Sequence, residues 1–261
     1  DFHAVRAIMK ETGGDRAGAT ADYASLVALD PANFSRRMLQ VRFLLRGDDV
    51  DGAEKALRAA IEATPGKIEP KLALAGLLAS KRDFAAGEAS LLELVAQSPA
   101  DLELLVGLGD FYTGHARAVP AAETYRKVIK LDGTGPQGLV ARNRLAVAAL
   151  KSGDRKTAAG LVTEVLAENP QDADALALNA QLALDQGDAA AAIADLRALL
   201  RNRPESIPAQ RALAQAYLAN NDLVLAEQTL KTALQAAPGN VQLQLGYAQL
   251  LVQAGKPTQA I

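Results

Sequence analysis

Residues Gly133-Thr134-Gly135-Pro136-Gln137-Gly138 spell G-x-G-x-x-G, the spacing with which a backbone loop cradles the pyrophosphate of a dinucleotide. That chemistry needs a strand, a tight turn and a helix, so that phosphate meets free N–H groups at the helix N-terminus. Here the segment follows a helical pattern, and Pro136 removes one donor. It therefore reads as a connector between helices. The two histidines, His3 and His115, have no cysteine and no second histidine at metal-ligand spacing. Cysteine is absent altogether, which excludes disulfides and thiolate metal sites. His115 falls in a turn with no identifiable partner for acid–base work, so it reads as a surface imidazole. Glu62, Glu88 and Glu123 read as solvated charges, and no Ser-His-Asp grouping can be assembled. The expectation is a chain with no catalytic residue, no cofactor and no metal.

Whatever such residues do, the elements that carry them must first be stable. The chain has 261 residues, of which 49% are hydrophobic and only 4% aromatic, so its core must come mainly from Ala, Leu and Val. Ala and Leu are strong helix formers, and no sustained period-two alternation supports strands. A net charge of −2 gives no electrostatic reason to bind nucleic acid or an anionic membrane surface. No apolar run approaches the ~20 residues of a membrane span. The chain begins at Asp1 without a recognisable leader, and it is expected to be an internal segment of a longer protein.

Prolines reveal a repeat. Pro31, Pro65 and Pro99 are spaced by 34, as are Pro170, Pro204 and Pro238, with Gly133 marking the missing member between the two series. Ala19, Ala53, Gly87, Ala121, Ala158, Ala192, Ala226 and Ala260 repeat the same 34, except for one step of 37 between Ala121 and Ala158. Two residue types thus share one period and one three-residue insertion, in whose loop Pro136 is expected to lie. Each unit reads as two antiparallel helices. In the best-defined unit, Leu176, Ala180, Ala183 and Leu184 line one helix, and Ala192, Leu196, Leu199 and Leu200 line the next. Gly187-Asp188 separates them, glycine suiting the left-handed residue that ends a helix and aspartate the cap of its successor. The same turn recurs at Gly14-Asp15, Gly47-Asp48, Gly153-Asp154 and Asn221-Asp222. Asn33, Asp101, Asp172, Ser206 and Asn240 are expected to cap the first helices. Gly47 sits one place early, so the first helix of the second unit is expected to shift register by one. Pro70, Pro120, Pro208 and Pro257 all fall in first turns, where the missing N–H costs nothing. A lone hairpin buries too little to offset its ordering entropy, so the units must stack.

A 34-residue helix–turn–helix unit of this kind resembles the tetratricopeptide repeat. Leu108, Gly109, Tyr112, Ala121, Tyr125 and Val128 match that family's signature best, and the other units keep its small residue, a large apolar residue (Tyr23, Leu57, Leu91, Val162, Leu196, Leu230) and its proline. The aromatic expected at the fourth position of each unit is missing: His3, Arg37, Lys71, Leu105, Arg142, Leu176, Gln210 and Gln244 stand there. Tyr23, Tyr112, Tyr125 and Tyr217 occupy core positions. The resemblance implies an all-α fold, an α-solenoid of stacked helix pairs wound into a superhelix. Its repeats fall at approximately 1–33, 34–67, 68–101, 102–138, 139–172, 173–206 and 207–240, with a partial eighth at 241–261. All would belong to a single array.

In that family the first helices line a concave surface. The resemblance places Arg42, Arg46, Asp110, Asn143, Lys151, Asp174, Gln181, Asp185, Arg211, Gln215 and Gln249 there, with Arg144 beside Asn143. This lining is mixed in sign and rich in amides. Convergent Lys and Asn donors that would grip a terminal carboxylate are hinted at only by Asn143, Arg144 and Lys151. The function implied is a non-catalytic scaffold that holds a protein or peptide partner in the groove. An alternative is an accessory domain of an enzyme such as a glycosyltransferase. Nucleic acid is not expected, and the Ala/Leu/Gly-rich, cysteine-free style is similar to that of bacterial cell-envelope members of the family.

Overall fold

The computed structural model describes residues 2–253, so Pro257 and Ala260 lie outside the described residues. Fifteen helices and no strand occur among them. The first helices of successive hairpins are α1 (Phe2–Thr12), α3 (Phe34–Arg46), α5 (Ile68–Lys81), α7 (Leu102–Gly114), α9 (Pro136–Lys151), α11 (Ala173–Asp185), α13 (Ile207–Ala219) and α15 (Val241–Gln253). Their partners are α2 (Arg16–Ala28), α4 (Val50–Ala63), α6 (Phe84–Gln97), α8 (Ala118–Asp132), α10 (Arg155–Glu168), α12 (Ala189–Asn202) and α14 (Leu223–Ala236). This is a solenoid of seven hairpins plus one further helix. None of these helices is long and apolar enough to cross a membrane.

The chain divides into two compact units, Asp1–Thr124 and Tyr125–Ile261. In the first, Ala7, Ala19, Tyr23, Leu26 and Phe43 form one core cluster, and Val41, Ala53, Leu57, Leu74 and Leu78 belong to another. In the second, Ala146, Ala158, Val162 and Val165 pack with Ala175 and Leu182, and a larger cluster runs from Leu176 to Leu250. The repeated alanines Ala19, Ala53, Ala158, Ala192 and Ala226 are all fully buried, at 0% exposure, where two helices cross and a larger side chain would hold them apart. The tyrosines Tyr23, Tyr112, Tyr125 and Tyr217 are buried, as core positions require.

Local chemistry explains the boundaries. Asn33, Asp101, Asp172, Ser206 and Asn240 each accept a backbone N–H three residues on, satisfying a donor the helix start leaves open. Between the paired helices, Gly14, Gly153 and Gly187 take positive φ, and Asp15, Asp154 and Asp188 cap the following helix. Asn221 fills the same left-handed role with φ 59° before Asp222.

Three expectations need correction. First, α3 keeps the common register, with Val41 buried at the place held by Ala180 and Ala214. The turn absorbs the difference instead: Gly47 ends α3 with φ −97°, Asp48 takes φ 58°, and Asp49 is the cap. Second, Pro136 is not in a loop but is the first residue of α9. The insertion has become extra helix, 16 residues in α9 against 13 in α7 and α11, because proline's fixed φ suits the first helical position. Third, Glu88 is half-buried rather than a fully solvated charge; Glu62 and Glu123 are exposed as expected.

Candidate functional site

First helices bring the expected residues together in three places. In the second unit, Asp174, Gln181 and Asp185 of α11 and Gln215 of α13 surround a cavity of about 640 Å3. Its wall is apolar, built by Ala177, Ala180, Leu184, Ala209 and Ala212. A smaller cavity of about 90 Å3 adjoins it, lined by Arg211, Gln215 and Leu218 of α13 and by Gly246 and Gln249 of α15. In the first unit, Arg42 and Arg46 of α3 line a third, about 530 Å3, with Ile8, Glu11, Tyr23 and Leu39. Asp110, half-buried on α7, and Arg144 and Lys151 on α9 border none of these.

The charged members are not equally available. Arg46 is engaged by Glu11 through two hydrogen bonds, Nε to Oε1 at 2.5 Å and Nη2 to Oε2 at 2.6 Å. That contact holds the Glu11 carboxyl below its usual range, with the Tyr23 hydroxyl also donating to it at 3.2 Å. Arg155 donates to Asp185 at 3.1 Å, and Arg144 and Arg203 each stand 3.9 Å from Asp174. Arg211 donates to Gln242 at 3.0 Å. Exposed pairs of this kind stabilise weakly, so a ligand can compete for them.

Asn143 does not face a groove. It is 3% exposed and donates from Nδ2 to Asp172 Oδ1 at 2.9 Å, bracing the residue that caps the next first helix. Lys71 braces the Asp101 cap in the same way, at 3.3 Å. Sequence patterning missed these braces because each pairs residues about one repeat apart. It also missed a buried carboxylate: Asp22 of α2, 2% exposed, is held by Arg6 and by Lys10 at 2.9 Å. Arg6 and Lys10, one helical turn apart on α1, were the available signal: the position of Lys10 is Leu, Ala or Tyr in every other unit, and that of Arg6 is apolar in all but two, where Gln40 and Asn179 stand. Their hydrogen bonds, Arg6 foremost, keep the Asp22 carboxyl far below its ordinary range.

The glycine-rich segment provides its own anion. The Gly138 N–H donates to Asp132 Oδ2 at 2.8 Å, and Arg142 Nη1 donates to the Gly133 carbonyl at 2.6 Å. The carboxylate sits where a phosphate would have to bind. Among the described residues, no group of three or more His, Cys, Asp or Glu could hold a metal ion. Around His115, Phe111 and Phe84 lie tilted with ring centroids 4.4 and 5.3 Å away and stack on each other at 5.5 Å, making an aromatic packing cluster at the hairpin ends of the first unit.

The chain is similar in fold to yeast Tom70, with a TM-score of 0.64 at 15% identity, over 94% of this chain and 53% of that one. It is similar to a chain of the APC/C hetero-tetramer Cut9-Hcn1, with a TM-score of 0.63 at 14% identity, over 94% of this chain and 48% of that one. It is also similar to Pseudomonas aeruginosa PilF, with a TM-score of 0.59 at 16% identity, over 86% and 98%. The chain thus spans about half the length of the first two. No curated protein sequence matches it. The tetratricopeptide repeat family model matches residues 11–68, 143–207, 177–241 and 211–261, more than half of the chain, and its last three windows start 34 residues apart. With hairpins of that same period, capped and packed as described, this chain belongs to the tetratricopeptide repeat family.

Proposed function

We propose that this chain is a non-catalytic interaction scaffold that holds a protein or peptide partner against its first helices. Tetratricopeptide repeats generally mediate protein–protein interaction, and most arrays of them are not catalytic. The observation that carries the reading is the cavity of about 640 Å3 between α11 and α13, walled by alanine and leucine and edged by Asp174, Gln181, Asp185 and Gln215. Concave apolar walls with a few polar groups are where ligands bury most surface. The mixed lining and the net charge of −2 favour a protein ligand over nucleic acid.

Filling the groove tests this. Ala177→Arg with Ala212→Arg places two long side chains in the cavity, and Thr163→Arg, on an exposed face of α10, is the control. Partners cross-linked to the unchanged protein should be lost from the groove-filled variant and kept by the control. Retention by both would refute the assignment. We further propose a bacterial cell-envelope location, supported only by the Ala/Leu/Gly-rich, cysteine-free composition; a lipoprotein leader on the full gene product would support it and a plain start would refute it.

A further inference from the structure

Between the second helices α4 and α6 of the first unit lies a crevice of about 150 Å3 that shares no lining residue with the three cavities above. Buried Leu74 of α5 and half-buried Ile61 and Leu94 make its interior apolar. Glu62 of α4 and Glu93 of α6 stand exposed at its edge, and neither forms an ion pair among the described residues. Arg58, the cation at that edge, is already held by Glu54, with Nε at 3.1 Å and Nη2 at 2.8 Å from Oε1. The space has a local cause. In the sixth hairpin the equivalent positions carry Asn179 and Asp195, which reach across to each other at 2.8 Å. In the third they carry Leu74 and Ser90, and Ser90 turns its hydroxyl back to the Gly87 carbonyl of its own helix at 2.7 Å.

Size and chemistry together select the occupant. Sites for free small molecules run to about 300–1,000 Å3, so this crevice has room for little more than one side chain. Holes of that size are where the anchors of protein interfaces seat. An aliphatic anchor would strip water from the two carboxylates and offer them no partner, and an acidic one would be repelled. A side chain with an apolar stem and a cationic head satisfies both the interior and the edge. Arginine suits them better than lysine. Its head is more weakly hydrated, and its planar fork of donors can meet carboxylates from two helices at once.

We propose that the crevice between α4 and α6 seats an arginine side chain presented by a partner protein. The methylene stem lies against Ile61, Leu74 and Leu94, and the guanidinium is held by Glu62 and Glu93. This is a second contact surface, carried by second helices, and it does not depend on the first-helix reading above.

The probe is n-propylguanidinium, the arginine side chain cut free at its Cβ. It is titrated into the whole chain while the methyl resonances of Ile61, Leu74 and Leu94 are followed by NMR. Guanidinium and 1-propanol supply the head and the stem alone, and n-butylammonium supplies the lysine side chain. Two double variants are titrated alongside: E62Q/E93Q, and E123Q/E168Q, which removes the same charge from exposed places on α8 and α10. All four glutamates are exposed, so both variants should melt like their parent. Supporting results are saturable shifts of the three methyls with n-propylguanidinium and weaker responses to head or stem alone. Binding should also fall about five- to thirtyfold in E62Q/E93Q, the size of one to two exposed ion pairs, and hold in E123Q/E168Q. The proposal is overturned if these methyls show no saturable shift, or if E62Q/E93Q binds as well as its parent. Equal binding of 1-propanol would overturn it too, by showing a merely apolar hole. Tighter binding of n-butylammonium would overturn the choice of arginine.

Discussion

Gly87→Ala restores the residue that the other units carry at this position, yet it should destabilise the protein. A Cβ at Gly87 would lie 2.6 Å from the Ala75 carbonyl oxygen, 2.8 Å from Ala79 Cβ and 3.0 Å from Phe111 Cζ. Carbon contacts relax only at about 3.5–4.0 Å, so α5 and α6 would have to part by about 0.7 Å or more. Overpacking of this degree costs about 1–3 kcal/mol. Alanine returns about 1 kcal/mol of helix propensity, leaving a net loss of about 1 kcal/mol. Gly76, on the exposed face of the same α5, isolates the propensity part, because a Cβ there meets nothing within 4 Å. Gly76→Ala should therefore stabilise by about 0.5–1 kcal/mol. Guanidinium unfolding midpoints of the two variants should move in opposite directions. Amide exchange in α5 and α6 should change in the same sense, since repeat arrays open locally. If Gly87→Ala stabilises as much as Gly76→Ala, the helices do not approach as closely as described.

Ala116 holds φ 57° at the turn before α8, where an L-residue costs about 1–2 kcal/mol; Ala116→Gly should raise the unfolding midpoint by an amount equal to about 0.5–1 kcal/mol after its own entropy cost. Asn143→Ala removes the brace on Asp172 and should cost about 1 kcal/mol by the same assay, whereas Asn143→Asp, which sets a second carboxylate against the first, should cost more. The Asp22 carboxyl, held below its unfolded value by Arg6 and Lys10, contributes stability that is complete above about pH 4 and lost as pH falls further. Asp22→Asn should lower the melting temperature at neutral pH and flatten the acid limb of its pH profile; an unchanged limb would show that other carboxylates govern acid unfolding.

Hairpins and caps were legible in the sequence because they depend on residues a few places apart. Pro204 stops one helix, Ser206 starts the next, and neither needs a distant partner. Ala192 was legible because a helix crossing admits only a small side chain, whatever the neighbour is. What spacing could not carry was the choice of partner one repeat away. Asn143 has the composition of a ligand-binding amide, but its Nδ2 lies 2.9 Å from Asp172, 29 residues on, and the bond turns it inward. Arg46 similarly meets Glu11, 35 residues before it, and so enters the groove already paired. Gln181 and Gln215, with no such partner among the described residues, border the cavity between α11 and α13.

The lengthened α9 has a practical consequence. Its additional turn adds about 4.5 Å at the start of the helix, at 1.5 Å per residue. Ala141, Leu145 and Ala146 nonetheless remain buried, so the contacts downstream are counted from the far end of the helix. The three extra residues are thus taken up at the start of α9 without displacing those buried positions. An affinity tag, a fluorophore-bearing peptide or a protease site spliced into residues 133–135 should therefore leave the buried contacts of Ala141, Leu145 and Ala146 in place, at the cost of the Asp132–Gly138 and Gly133–Arg142 hydrogen bonds that cross the segment.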